Sequence, residues 1–316
     1  MPLHTSILSK TGIVCLLACI CCALWGSAFP CVKIGYTLFS VNTQHVPSII
    51  LFAGTRFFLA GILAILIGSF LSKTILIPKS LSTAKRIIKL SFLQTMIQYF
   101  LFYIGLAHTT GVKASIIGSS NVFVSLLVAV FLFHQEKMTM RKLAGCILGF
   151  FGVLLVNLNQ GGLSGGIQFM GEGFLFLSTV SYAFSSVFLK IYSKDDHPVL
   201  LSGWQFIVGG AIMMILGFLF GGQITPTAPA SFLMLFYLGC ISAVAYSLWG
   251  ILLKYNSVSR VTVFSFMTPV FGVLFSTEFL QEVAQSAGFF TITALILVCC
   301  GIYAVNSNAH KARISQ

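Results

Sequence analysis

Pro47-Ser48-Ile49-Ile50-Leu51-Phe52-Ala53-Gly54-Thr55-Arg56-Phe57-Phe58 opens an apolar run that continues to about residue 70 with Arg56 as its one charge. A run of that length is what a helix needs to cross roughly 30 Å of hydrocarbon. Working outward, similar windows bounded by Pro, Gly and charge predict ten spans: 12–35, 47–70, 87–107, 111–134, 142–158, 171–192, 198–220, 230–253, 258–280 and 286–306. Pro47 and Pro198 stand at predicted helix starts, where a missing N–H costs little. The expected fold is therefore all-α and integral to the membrane, with ten transmembrane helices.

Composition agrees with that reading. Of 316 residues, 57% are hydrophobic and 8% charged, against roughly 25% charged in a soluble domain. Outer-membrane strands alternate polar and apolar over about ten residues, and the apolar runs here are twice as long. Lys10 followed by an apolar stretch ending at Cys19 has the outline of a cleaved lipoprotein signal. The run continues past Ala28, as a retained membrane helix does.

The net charge of +12 has a topological explanation. If the N-terminus is cytoplasmic, 15 of the 18 Lys and Arg fall on the cytoplasmic side, in the segments around Lys10, Lys73–Lys89, Lys137–Lys142, Lys190–Lys194, Lys254–Arg260 and Lys311–Arg313. Only Lys33 and Lys113 lie at outer helix ends. Such asymmetry predicts that both termini are cytoplasmic, and it leaves no role for nucleic acid. The expected partners are lipid and a small-molecule substrate.

The second half repeats the first in outline. Gly54-Thr55-Arg56-Phe57 aligns with Gly203-Trp204-Gln205-Phe206 at a shift of 149, and Tyr99 and Phe102 align with Tyr246 and Trp249 at a shift of 147. Asn121-Val122-Phe123 aligns with Pro269-Val270-Phe271 at 148, and Gly152 and Asn157 align with Gly301 and Asn306 at 149. Trp25 and Lys33 align with Tyr182 and Lys190 at 157. Residues 1–158 and 171–316 are thus read as two five-helix repeats joined by a Gly-rich linker, 159–170, which includes Gly161-Gly162-Leu163-Ser164-Gly165-Gly166. Five is odd, so the second repeat enters the membrane from the opposite side. Inverted repeats of this kind place a carrier's substrate site at their interface near the midplane.

Trp25-Gly26-Ser27-Ala28-Phe29-Pro30 followed by Lys33-Ile34-Gly35, then Arg56-Phe57, Glu136 with Thr139 and Gly145, and the ending Gly301-Ile302-Tyr303-Ala304-Val305-Asn306 resemble the EamA-type permeases of the drug/metabolite transporter superfamily. The resemblance runs from about residue 12 to 306. It implies a ten-helix carrier of the inner (cytoplasmic) membrane, usually an exporter of small metabolites or amino acids. It also implies a central cavity lined by helices one, three, four, six, eight and nine. Asn121 stands where such permeases commonly carry Pro.

Polar and aromatic residues on those helices define the candidate substrate site: Trp25, Gln98, Tyr99, Phe102, Asn121, Tyr182, Tyr246, Trp249, Thr268 and Pro269. Polar groups are expensive against lipid and are expected inward. Pro269 removes one backbone hydrogen bond, which frees a carbonyl one turn back or makes a packing kink. Mid-span aromatics differ from the belts that cluster at helix ends. They suit amphipathic organic solutes or amino acids, and cations through cation–π attraction. Arg56 lies roughly 13 Å along its helix from Pro47 at 1.5 Å per residue. Pairing with backbone carbonyls or a helix end is the first expectation for it, a substrate carboxylate the second. Lys33 and Lys190 are expected to anchor or gate helix ends, and the role of Glu278 is left open.

The alternatives are a membrane-embedded enzyme and a non-transporting membrane subunit. No His-Glu-x-x-His and no Gly-x-x-x-x-Gly-Lys stretch occurs in the chain. Cys15, Cys19 and Cys22 share a helical face without a His beside them, and apolar Cys acts as a small hydrophobe. Neither a metal nor another cofactor is expected.

Overall fold

The computed structural model describes residues 7–108, 114, 117–158, 168–280 and 287–306. The predicted linker Gly161–Gly166, Lys113 and Glu282 lie outside the described residues.

Among the described residues the chain is helical, with no strand. Helix α1 is Thr11–Leu38 and α2 is Val46–Ser72. The third, α3 (81–107), joins Leu81–Leu90 and Gln98–Ala107 through a π-helical stretch, Ser91–Ile97. Helix α4 (121–132) runs from Asn121–Leu127 into a π-helical end, Val128–Leu132, and α5 is Met140–Leu158. A π turn, Phe169–Gly173, opens α6 (169–192) ahead of Phe174–Tyr192. Then come α7, Pro198–Leu219, and α8, Pro229–Tyr255. In α9 (258–280), Val258–Thr262 and Met267–Leu280 flank a tight 3₁₀ turn, Val263–Phe266; α10 is Ala287–Asn306.

Six of these helices are long and apolar enough to cross a membrane: Thr11–Leu38, Val46–Ser72, Leu81–Gly105, Phe169–Tyr192, Pro198–Leu219 and Pro229–Tyr255. Ile117–Leu132 and Ile292–Asn306 are shorter apolar helices. The chain is accordingly a multi-pass membrane protein. Its outer surface carries exposed Phe70, Leu71, Phe218, Leu219 and Phe220. That coat suits lipid, because hydrocarbon imposes no penalty on apolar side chains and a large one on bare polar groups.

Among the described residues, several helix pairs approach until backbone meets backbone. Helices α2 and α7 touch at glycines: a Cβ on Gly54 would lie 2.9 Å from the Gly210 carbonyl oxygen, and one on Gly61 would lie 2.6 Å from that of Gly203. Helices α5 and α10 repeat the device, with Gly145 against the Gly301 carbonyl (2.6 Å) and Gly152 against that of Ala294 (2.9 Å). Lipid supplies no hydrophobic drive between helices, so association rests on close contact of small residues. Gly210→Val is therefore expected to destabilise by about 3 kcal/mol, since a Cβ there meets Phe58 N at 2.5 Å and backbone cannot rotate aside. Gly12→Ala, with nothing within 4 Å of its Cβ, serves as the neutral control. Thermal melting of both variants in detergent checks the contrast, and equal melting temperatures refute the close-contact account.

Candidate functional site

The crossing of α1, α2, α3, α7 and α8 gathers an aromatic group. Tyr99 of α3 and Tyr246 of α8 hydrogen-bond hydroxyl to hydroxyl at 2.6 Å. Trp25 of α1 meets Tyr246 edge-on at 5.2 Å and Trp249 at 4.9 Å between ring centroids. Phe57 and Phe206 stack at 5.2 Å with 8° between their planes. Phe57 also meets Tyr99 at 4.3 Å, and Phe206 meets Tyr246 edge-on at 4.8 Å. Phe102 extends the group, 6.5 Å from Tyr99.

Of the ten candidates, Trp25, Tyr99, Phe102, Tyr246 and Trp249 are thus brought into one ring network. Tyr182 is buried in the same packed cluster as Tyr103, Phe206 and Tyr246. Gln98 is half-buried beside Tyr99, and its Oε1 has no partner. Asn121, at the start of α4, is half-buried with Oδ1 unpaired, and no hydrogen bond ties it to the aromatic group. Thr268 lies beside Cys22 of α1. Pro269 follows the 3₁₀ turn by one helical turn, so the backbone break expected from the proline falls at 263–266. None of the ten is exposed on the outer surface.

Several neighbours were not among the candidates. Phe57 and Phe206 lie at the heart of the network; the sequence marks both in the repeat alignment, and Phe57 also in the Arg56-Phe57 motif. Arg56 is buried, its Nη2 3.5 Å from Ser242 Oγ and its guanidinium 4.7 Å from the Phe57 ring. Opposite it in the repeat, Gln205 accepts from the Thr95 hydroxyl at 3.3 Å. Lys190 donates to the carbonyls of Leu253 (3.2 Å) and Asn256, which anchors α6 to the end of α8. Lys33 is exposed on α1.

The polar balance of the group is uneven. Buried donors without an acceptor include Trp25 Nε1, Trp249 Nε1, Arg56 Nε and Gln205 Nε2. Buried polar atoms are ordinarily satisfied, so each such donor requires a reason.

The long apolar helices around a buried aromatic and polar seam are those of a multi-pass helical membrane protein. The chain matches the EamA-like transporter family over residues 12–158 and again over 169–307, and it belongs to that family. It is similar to the uncharacterized transporter YvbV of Bacillus subtilis, 26% identical, with 96% of this chain and 95% of that one covered. YoaV of the same organism, also an uncharacterized transporter, is 23% identical over 89% of this chain and 92% of that one. A WAT1-related chloroplastic protein of Arabidopsis thaliana is 25% identical over 64% of this chain, which spans half of that protein's length. One crystal structure superposes with a TM-score of 0.75 over 96% of this chain and 99% of that chain, at 16% identity, a likeness of fold alone.

Proposed function

We propose that the chain is a secondary transporter that exports small metabolites or amino acids across the cytoplasmic membrane by alternating access. In this reading ten helices cross the bilayer as two inverted five-helix repeats, 1–158 and 171–316, joined by 159–170. Both termini are cytoplasmic, and the substrate site lies between the repeats, lined by the candidate residues named above.

One observation carries the reading: residues related by the repeat touch their own counterparts. Phe57 stacks on Phe206, and Tyr99 bonds to Tyr246. Self-pairing is the mark of a two-fold axis, since only a residue on the axis meets its own image. Off the axis, contacts come in exchanged pairs. Gly54 meets Gly210 while Gly61 meets Gly203, and at the 149-residue shift these are images of each other. Arg56 with Ser242 mirrors Gln205 with Thr95. The family match to each half separately supports the same division. An axis in the membrane plane, passing through a cluster of aromatic rings, is where an inverted-repeat carrier binds its substrate.

Solute flux tests this. Proteoliposomes holding the full chain should exchange amino acids or small organic acids at rates that empty liposomes do not reach. A tag after Gln316 should stay inaccessible to an impermeant reagent on intact cells, while a cysteine within 161–166 should be labelled. Absence of flux for every solute overturns the carrier reading, and labelling of the Gln316 tag from outside overturns the topology.

A further inference from the structure

Arg56 is 7% exposed, midway along an apolar helix, and its Nε has no partner. Among the described residues its hydrogen bond is to Ser242 Oγ, at 3.5 Å. Among the described residues no carboxylate pairs with it. Of the chain's six acidic residues, Glu136 is engaged with Lys142 and Ser259, Asp195 and Asp196 with Arg86, and Glu172 with the Gln168 backbone. A guanidinium held in this way within the bilayer is costly unless something neutralises it.

The surroundings point to what that is. Gln205 occupies the equivalent place in the other repeat, and its Nε2 also lacks an acceptor. The two residues precede the stacked Phe57 and Phe206 in sequence, and the Arg56 guanidinium lies 4.7 Å from the Phe57 ring. Trp25 and Trp249 add two more unspent N–H donors. The paired hydroxyls of Tyr99 and Tyr246 lie in the same cluster, 2.6 Å apart. The cluster thus offers one fixed positive charge, unpaired N–H donors and apolar ring faces.

We propose that Arg56 is the anion-binding residue of the transport site, and that the transported solute is an organic carboxylate whose apolar part lies against the aromatic group. This rests on the carrier reading above and narrows its substrate class. A planar carboxylate matches the guanidinium fork with two parallel hydrogen bonds. Purely cationic solutes, which the rings alone would attract, are disfavoured by the unbalanced charge. The asymmetry between Arg56 and Gln205 fixes which end of the solute faces which repeat.

Binding to the purified full chain is read through tryptophan fluorescence, since two of the three Trp residues belong to the site. The probes are phenylacetate and hexanoate, their neutral amides, phenethylammonium and chloride. The wild type is expected to bind at least one carboxylate tenfold or more tighter than its amide, and Arg56→Gln to bring that ratio near one. If Arg56→Gln does not fold, Arg56→Lys is read instead; it keeps the charge and loses the fork, so the carboxylate should weaken severalfold with the amide unchanged. Equal affinity of both carboxylates and their amides in the wild type overturns the proposal, as does tighter binding of phenethylammonium. Chloride competing at affinities equal to the carboxylates assigns Arg56 to a free inorganic anion and overturns it too. Flux of the same probes separates the two readings. Carboxylate flux indifferent to Arg56 removes the anion site and leaves the carrier, whereas Arg56-dependent binding with no flux of any probe or other solute keeps the anion site and removes the carrier.

Discussion

Replacing Glu136 by Ala is expected to destabilise the protein by about 3 kcal/mol, the scale of breaking a buried ion pair by removing one partner. The Glu136 side chain is 6% exposed and carries three interactions. Lys142 Nζ lies 2.5 Å from Oε2, the Ser259 N–H donates to Oε1 at 3.0 Å, and the Ser259 hydroxyl donates to Oε2. Ser259 sits in the first turn of α9, where backbone N–H groups have no intrahelical acceptor. A carboxylate from the segment between α4 and α5 therefore caps a helix of the other half of the chain. Loss of it strands the Lys142 ammonium with the Lys137 carbonyl alone. Glu136→Gln keeps an oxygen for Ser259 and gives up the ion pair, so its melting temperature should fall between wild type and Ala. Asp195→Ala is the contrast: that carboxylate is 65% exposed and shares Arg86 with Asp196, so its loss should cost about 0.5 kcal/mol. Melting of the Glu136→Ala protein within a degree of wild type would show that the carboxylate does not tie the halves together.

The helices were legible because lipid imposes a length and a composition on each segment. The windows 198–220 and 230–253 correspond to Pro198–Leu219 and Pro229–Tyr255, with proline marking the start of each. What the windows miss is the change of helical pitch inside them. Ser91–Ile97, Val128–Leu132 and Phe169–Gly173 are π-helical, and nothing in an apolar run distinguishes a five-residue hydrogen-bond spacing from four. Pro269 did announce a break in α9, and the 3₁₀ turn lies just before it, where the ring crowds the preceding turn. In the candidate site, the alignment of Tyr99 with Tyr246 marks two residues whose hydroxyls meet. It does not tell which aligned pairs touch. Phe57 and Phe206 align as well as Tyr99 and Tyr246, and only the fold shows that they stack. The Glu136 cross-tie to Ser259 spans 123 residues; the sequence carries Glu136 only as part of a local motif, with no mark of its partner.

Trp249→Ala and Gln98→Ala should impair transport for different physical reasons, and together they separate packing from binding. Trp249 is 1% exposed and meets Trp25 edge-on at 4.9 Å. Deleting a ring of that size from a filled interior costs about 3–5 kcal/mol. The Ala variant is expected to lose stability and flux together, and Trp249→Phe, which keeps a ring, should recover much of the stability. Gln98 is half-buried and its Oε1 has no partner to lose. Its removal should shift stability by no more than about 0.5 kcal/mol. Flux should nevertheless fall roughly tenfold, the equivalent of one hydrogen bond to substrate at about 1–1.5 kcal/mol. The measurement is flux per folded molecule in proteoliposomes, alongside melting in detergent. Wild-type flux in Gln98→Ala would remove that amide from the site. Stable Trp249→Ala with lost flux would instead move Trp249 from the packed wall to the substrate itself, because only a ring facing an open space can be deleted without a cavity cost.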